Sequence, residues 1–204
     1  MPNPSETIPS IPVPSRRYAL ALLAALPVAA CGGGPAPSTF DLTAPRQGLR
    51  QTGSSRSVIV VAEPSAVFAL DSERIVIRTS GGELTYLPRA QWSDRLPRLV
   101  QTRLIQTFEN AGRVGVGRPV DRLSGAYQLI LDIRAFEVRE ATRDAFVEIA
   151  VKLVRGSSGS VLGARLFSAS MAVSEIEGAR VSQALDQSLS RVLADMTAWV
   201  SGTV

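Results

Sequence analysis

Few side chains in this 204-residue sequence are placed to take part in covalent chemistry, and foremost is its only cysteine, Cys31. Arg16 and Arg17 open a segment whose apolar run extends from Tyr18 to Ala30, and the small residues Ala29 and Ala30 lead into the thiol. Charge, apolar run and small residues in that order read as an export signal, residues 1–30, that ends at Ala30 directly before the thiol. The run falls well short of the roughly 20 residues that span a bilayer as a helix. The plainer reading makes Cys31 a small residue ending a conventional signal or a short buried helix. A second group of interest is the carboxylate set Glu137, Glu140, Asp144 and Glu148. Paired carboxylates can do acid/base work, but Arg139 and Arg143 lie among these, which favours a solvated, salt-bridged turn. Val114-Gly115-Val116-Gly117 has only part of a dinucleotide-loop spacing, and Ser157 and Ser158 lack a nucleophile-elbow spacing.

Val28-Ala29-Ala30-Cys31 resembles the bacterial lipobox. That resemblance implies a diacylglyceryl group on the Cys31 thiol, cleavage before it, and acylation of the new amino terminus. It also implies sorting to the outer membrane, since Gly32 occupies the place where retention at the inner membrane usually relies on aspartate. Each buried acyl methylene contributes about 0.8 kcal/mol, so several chains hold a soluble domain at a bilayer where one cannot. Residues 1–15 form a proline-rich leader, and Ser15-Arg16-Arg17-Tyr18 also fits part of a twin-arginine motif.

Composition removes much of the remaining chemistry. With no histidine and one cysteine, zinc sites of the His/Cys type, Ser-His-Asp triads and Cys-His dyads cannot be assembled, so no metal site, catalytic residue or cofactor beyond the lipid is expected. Disulfides within the chain are impossible, and an exported fold must be held by its own core. The net charge of +4 is mild, and no dense basic tract speaks for nucleic acid.

Positioning falls to the elements that follow. Gly32 to Ser38 reads as a flexible tether, residues 31–39, leading into one domain over residues 40–204. Ser57–Val61 suits a buried strand. Arg74–Arg78 and Glu83–Leu87 flank Thr79-Ser80-Gly81-Gly82 as a hairpin. Ser93 and Asp94 offer capping oxygens to a helix with Pro97 in its first turn, the apolar stripe Leu96, Leu99, Val100, Leu104, Phe108, and Gly112 as its stop. Further strands follow: one with Leu129, Leu131, Ile133 and Ala135 facing inward, one with Val147, Ile149, Val151 and Leu153, and one with Phe167, Ala169, Met171 and Val173. A terminal helix from about Gly178 to Val200 carries Val181, Leu185, Leu189, Val192, Met196 and Trp199 on one face. The order predicts an α+β fold, a largely antiparallel sheet with two helices packed on one face.

The lipobox, the tether, Arg74-Ile75-Val76-Ile77-Arg78, Leu84-Thr85-Tyr86 and Ala90-Gln91-Trp92 before Leu96-Pro97-Arg98-Leu99 together resemble the ABC-type transport auxiliary lipoprotein family, which includes the lipoprotein of the paraquat-inducible (Pqi) operon. The resemblance implies an outer-membrane-anchored lipoprotein in the inner leaflet, facing the periplasm. It would be a docking or accessory subunit of a lipid transport system, with an MCE-domain protein, a permease and an ATPase as partners and no chemistry of its own. Tyr86 is followed by Leu87 where such proteins often carry a second aromatic. Arg74, Arg78, Tyr86 and Trp92 are the candidate partner contacts. Their plainer roles are a staple closing helix onto sheet for Trp92 and cross-strand pairing for the arginines, with Glu83 as acceptor. The alternative function is a lipoprotein that itself carries phospholipid, in a pocket lined by residues such as Phe108 and Met171, or an assembly factor of another envelope complex.

Overall fold

The computed structural model describes residues 36–46, 57–123 and 125–204. The export signal, Cys31 and the start of the tether lie outside them. Ala36–Val204 forms one unit, and its spine is β7 (Tyr127–Arg139). Antiparallel to it runs β8 (Asp144–Arg155), followed by β9 (Val161–Ala172) on the far side of β8. The opposite edge of β7 is shared by three short strands in succession, all parallel to it: β2 (Ile59–Val61), β3 (Ser65–Ala66) and β4 (Arg74–Arg78). β4 continues into the antiparallel β5 (Leu84–Trp92), which pairs in parallel with β1 (Ser38–Phe40). On the other branch β2 carries β6 (Val116–Gly117). The fold is therefore α+β as expected, but the sheet is mixed. Among the described residues antiparallel pairing is confined to the three hairpins, β4–β5, β7–β8 and β8–β9, while the strands on the free edge of β7 all run parallel to it.

Strand β1 begins at Ser38, not Phe40, so the last residues assigned to the tether belong to the sheet. The hairpin turn falls as expected, with Gly82 at φ 88°. Strand β5 nevertheless runs on to Trp92, past Pro88, which argues against a regular strand interior. It does so through an irregularity between the pairs Arg74↔Gln91 and Val76↔Tyr86, with Arg89 at φ 55°.

Helix α1 (Leu96–Asn110) buries Leu96, Leu99, Val100, Leu104 and Phe108. Its N-cap is Arg95, without a side-chain cap, so neither Ser93 nor Asp94 plays that part. The Asp94 carboxylate accepts the Arg95 N–H at 2.7 Å, and the Ser93 hydroxyl donates to Asp41. The first helical N–H, of Leu96, donates instead to the Ser72 carbonyl at 3.1 Å, and Pro97 has none to satisfy. Gly112, at φ 88°, stops the helix, and the following Arg113 N–H returns to the Phe108 carbonyl at 2.9 Å. Helix α2 (Gly178–Ser201) packs on β8 and β9 through Val181, Leu185, Leu189, Val192 and Met196, all buried. Trp199 is only partly covered and tilts onto Phe167, with ring centroids 5.7 Å apart.

One departure reshapes the sheet's charged end. The inward set of β7 runs Leu129, Leu131, Ile133, and then the register slips between Ile133 and Ala135. A one-residue bulge changes which side chains face inward. Beyond it Phe136 and Val138 enter the core, at 1% and 0% exposure, so the alternation expected through Ala135 does not continue.

Candidate functional site

The four candidate contact residues divide into a surface set and a core residue. Trp92 is 1% exposed and meets Phe136 edge to face, ring centroids 5.8 Å apart. It is the staple of the plainer reading, and this corrects its place in an exposed patch. Arg74 and Tyr86 do meet at the surface of the β4–β5 hairpin, the guanidinium carbon 4.6 Å from the ring centroid.

Arg78 pairs with Glu137 of β7 through two bonds, Nε to Oε1 at 2.6 Å and Nη2 to Oε2 at 3.0 Å. Glu83 is not its acceptor. The β7 bulge decides this, because it brings Glu137, 4% exposed, into register with Val76 on β4. A planar guanidinium matches a carboxylate edge in this two-point manner, and the pairing raises the Arg78 pKa above its ordinary value.

Beside this pair, Arg139 of β7 reaches Asp144 at the start of β8, Nε to Oδ1 at 3.0 Å, while its guanidinium lies 4.1 Å from the Phe146 ring centroid. Glu140 accepts the Ser80 N–H at 3.2 Å, and Arg143 donates to the Ser174 carbonyl at 2.8 Å. Glu137, Glu140 and Asp144 thus each accept hydrogen bonds that tie strands and turns together, and no group of three or more metal-ligating side chains forms among the described residues. Gly115 and Gly117 flank and form β6, which leads into a 3-10 turn, Pro119–Asp121, instead of a phosphate-binding helix. Phe108 is fully enclosed in the core. A groove of about 620 Å³ beside α1 is lined by Asp41, Arg46, Arg103 and Glu109 among others, a charged lining unlike that of an apolar ligand site.

The Asp144 carboxyl is held below its usual range by the bonds from Arg139, against the opposing effect of burial, with help from the Thr142 hydroxyl. A carboxylate depressed in the native state stabilises it above the unfolded-state value, and that contribution is lost as pH falls through the native one. Asp144→Asn is therefore expected to lower Tm near neutral pH, with the difference from wild type closing below about pH 4. A gap that stays constant down to pH 3 would contradict this assignment.

The chain belongs to the family described as ABC-type transport auxiliary lipoprotein component, which matches residues 40–197. The family suggested by the sequence motifs is thus the one found. Among its relatives is an uncharacterised protein of Bradyrhizobium diazoefficiens, bll6063, 31% identical over 182 residues, 87% of this chain and 49% of that protein. The chain thus spans about half the length of this curated relative. Among solved structures, the Xanthomonas campestris protein XCC0632 superposes with a TM-score of 0.71 at 26% identity, covering 81% of this chain and 96% of that one. The hypothetical protein CT253 of Chlamydia trachomatis shares the fold at 9% identity, with a TM-score of 0.51 over 72% of this chain and 98% of its own.

Proposed function

We propose that this protein is an outer-membrane-anchored lipoprotein subunit of an ABC/MCE-type lipid transport system, acting as a docking or accessory component and not as an enzyme. The supporting observation is the family match across the folded domain, directly downstream of a signal whose residue order ends in Cys31. The covalent lipid on Cys31 is its only added group. It places the domain at the inner leaflet of the outer membrane, facing the periplasm, with an MCE-domain protein and its permease and ATPase as partners. From Cys31 to the first paired residue, Ser38, the chain reaches at most roughly 25 Å at about 3.5 Å per residue. A domain so tethered stays near its membrane, and a carrier that crosses the periplasm has to come to it.

Radiolabelled palmitate is expected to enter the wild-type protein and not Cys31→Ala, which moves to the soluble fraction. Label retained by the variant would remove the anchor from this reading. Retention of the system's purified MCE-domain protein on the immobilised full-length protein tests docking itself. Stoichiometric phospholipid in place of that complex would favour a carrier.

A further inference from the structure

The sheet protects its margins unevenly. The path of paired strands ends at β1, three residues long, and at β6, two residues long. Short edges of this kind offer little for another chain to pair with. β5 is also open before Ala90, but Pro88 and the left-handed Arg89 interrupt it there. The longest open margin among the described residues is β9, 12 residues long, which pairs only with β8. That is about twice the usual strand length. It has no lysine and no proline, and Arg165 is its one charged side chain, so the usual devices for blunting an edge are nearly absent.

Which backbone groups are open follows from a single bond. Val173 donates its N–H to the Arg143 carbonyl at 2.8 Å, and the register from Asp144↔Ala172 to Leu153↔Gly163 carries that phase along the ladder. Gly163, Arg165, Phe167, Ala169 and Met171 therefore bond to β8. Leu166, Ser168 and Ser170 direct their N–H and C=O groups away from it. Beside this edge runs a groove of about 530 Å³ lined by Leu166, Phe167, Trp199 and Ala198 with Arg165 and Asp195. Asp195 is engaged with Arg191 at 3.1 Å. Arg165 lies 5.2 Å from the Phe167 ring centroid and forms no ion pair among the described residues.

We infer that the open edge of β9 is a strand-addition site for an extended segment of the MCE-domain partner, carrying an acidic side chain opposite Arg165 and an apolar one toward Phe167 and Trp199. This rests on the docking reading above and names where docking occurs. Main-chain bonds would supply affinity, and the alternating side chains specificity. A second copy of β9 is the poorer occupant, because Val161–Ala172 contains no Asp or Glu to meet Arg165.

The test uses the full-length acylated protein in detergent and the purified MCE-domain protein. Proline is tolerated at a strand position whose N–H faces outward, so Ser168→Pro removes one docking bond while leaving the β8 ladder intact, and Ser168→Ala is its control. Expected are at least tenfold weaker binding for Ser168→Pro and for Arg165→Glu, and wild-type binding for Ser168→Ala. The Leu166, Ser168 and Ser170 amides should exchange at least tenfold more slowly in the complex. Wild-type binding by a folded Ser168→Pro would overturn the inference and leave docking standing. Should that variant not fold, unchanged affinity of Arg165→Glu together with unprotected amides would do so. An MCE-domain protein that does not bind the wild type at all would overturn both readings. Concentration-dependent protection of those amides in the isolated protein would assign the edge to self-association and overturn this one.

Discussion

Trp92→Ala is expected to remove about 3–5 kcal/mol of folding stability, the range for truncating a large buried aromatic. The indole is 1% exposed and closes the end of β5 onto β7 through its edge-to-face contact with Phe136. Residue 92 also sits where several elements converge, since the Trp92 backbone N–H donates to the Glu73 carbonyl at 2.7 Å and the chain enters α1 four residues later. Alanine leaves a cavity that strands on both sides cannot close without breaking their ladders. Typical domains have about 5–15 kcal/mol in all, so a large part of the total is at stake. Urea unfolding followed by circular dichroism measures it. A loss under about 1.5 kcal/mol would show that Trp92 is a replaceable surface residue after all.

The second large effect is expected at the Arg78–Glu137 pair. Removing one member of a buried pair costs about 3–5 kcal/mol because the other is left uncompensated. Here the Arg78 side chain is 42% exposed and Glu137 only 5%, so water screens one end, and Arg78→Met should cost nearer 2 kcal/mol. The double variant Arg78→Met with Glu137→Leu is expected to recover most of that loss, since replacing both partners by apolar groups is often close to neutral. Additive losses in the double-mutant cycle would refute the coupling. Recovery would show that the cost lies in the stranded carboxylate.

Much of the fold was legible from periodicity. The inward faces of β8 and α2 and the stripe of α1 follow from alternation and helical spacing, because each element packs one continuous face on a common core. What was hidden depends on irregularity. The β7 bulge after Ile133 leaves no mark in composition, yet it turns Phe136 and Val138 inward and places Glu137 against Arg78, which local sequence paired with Glu83. The strand read as ending at Leu87 likewise runs on to Trp92, past Pro88, with Arg89 in a left-handed conformation. The salt-bridged turn that holds Arg139 and Asp144 was legible as a local charge cluster, but its link to β4 was not, because Arg78 and Glu137 lie 59 residues apart on strands that run parallel. The open edge of β9 was invisible because alternation reports which faces are covered and is silent about neighbours in the plane.

The sharing of one edge of β7 by β2, β3 and β4 also sets an order of events. These segments leave synthesis before β7, yet among the described residues β3 has no other ladder partner and β2 has only the two-residue β6 besides. Loop-closure entropy has to be met before such distant pairings stabilise anything. Strands β2 and β3 must therefore wait, incomplete, until residues 127–139 arrive, and a chain that consolidates from its later hairpins leaves residues 59–66 open to solvent for longest.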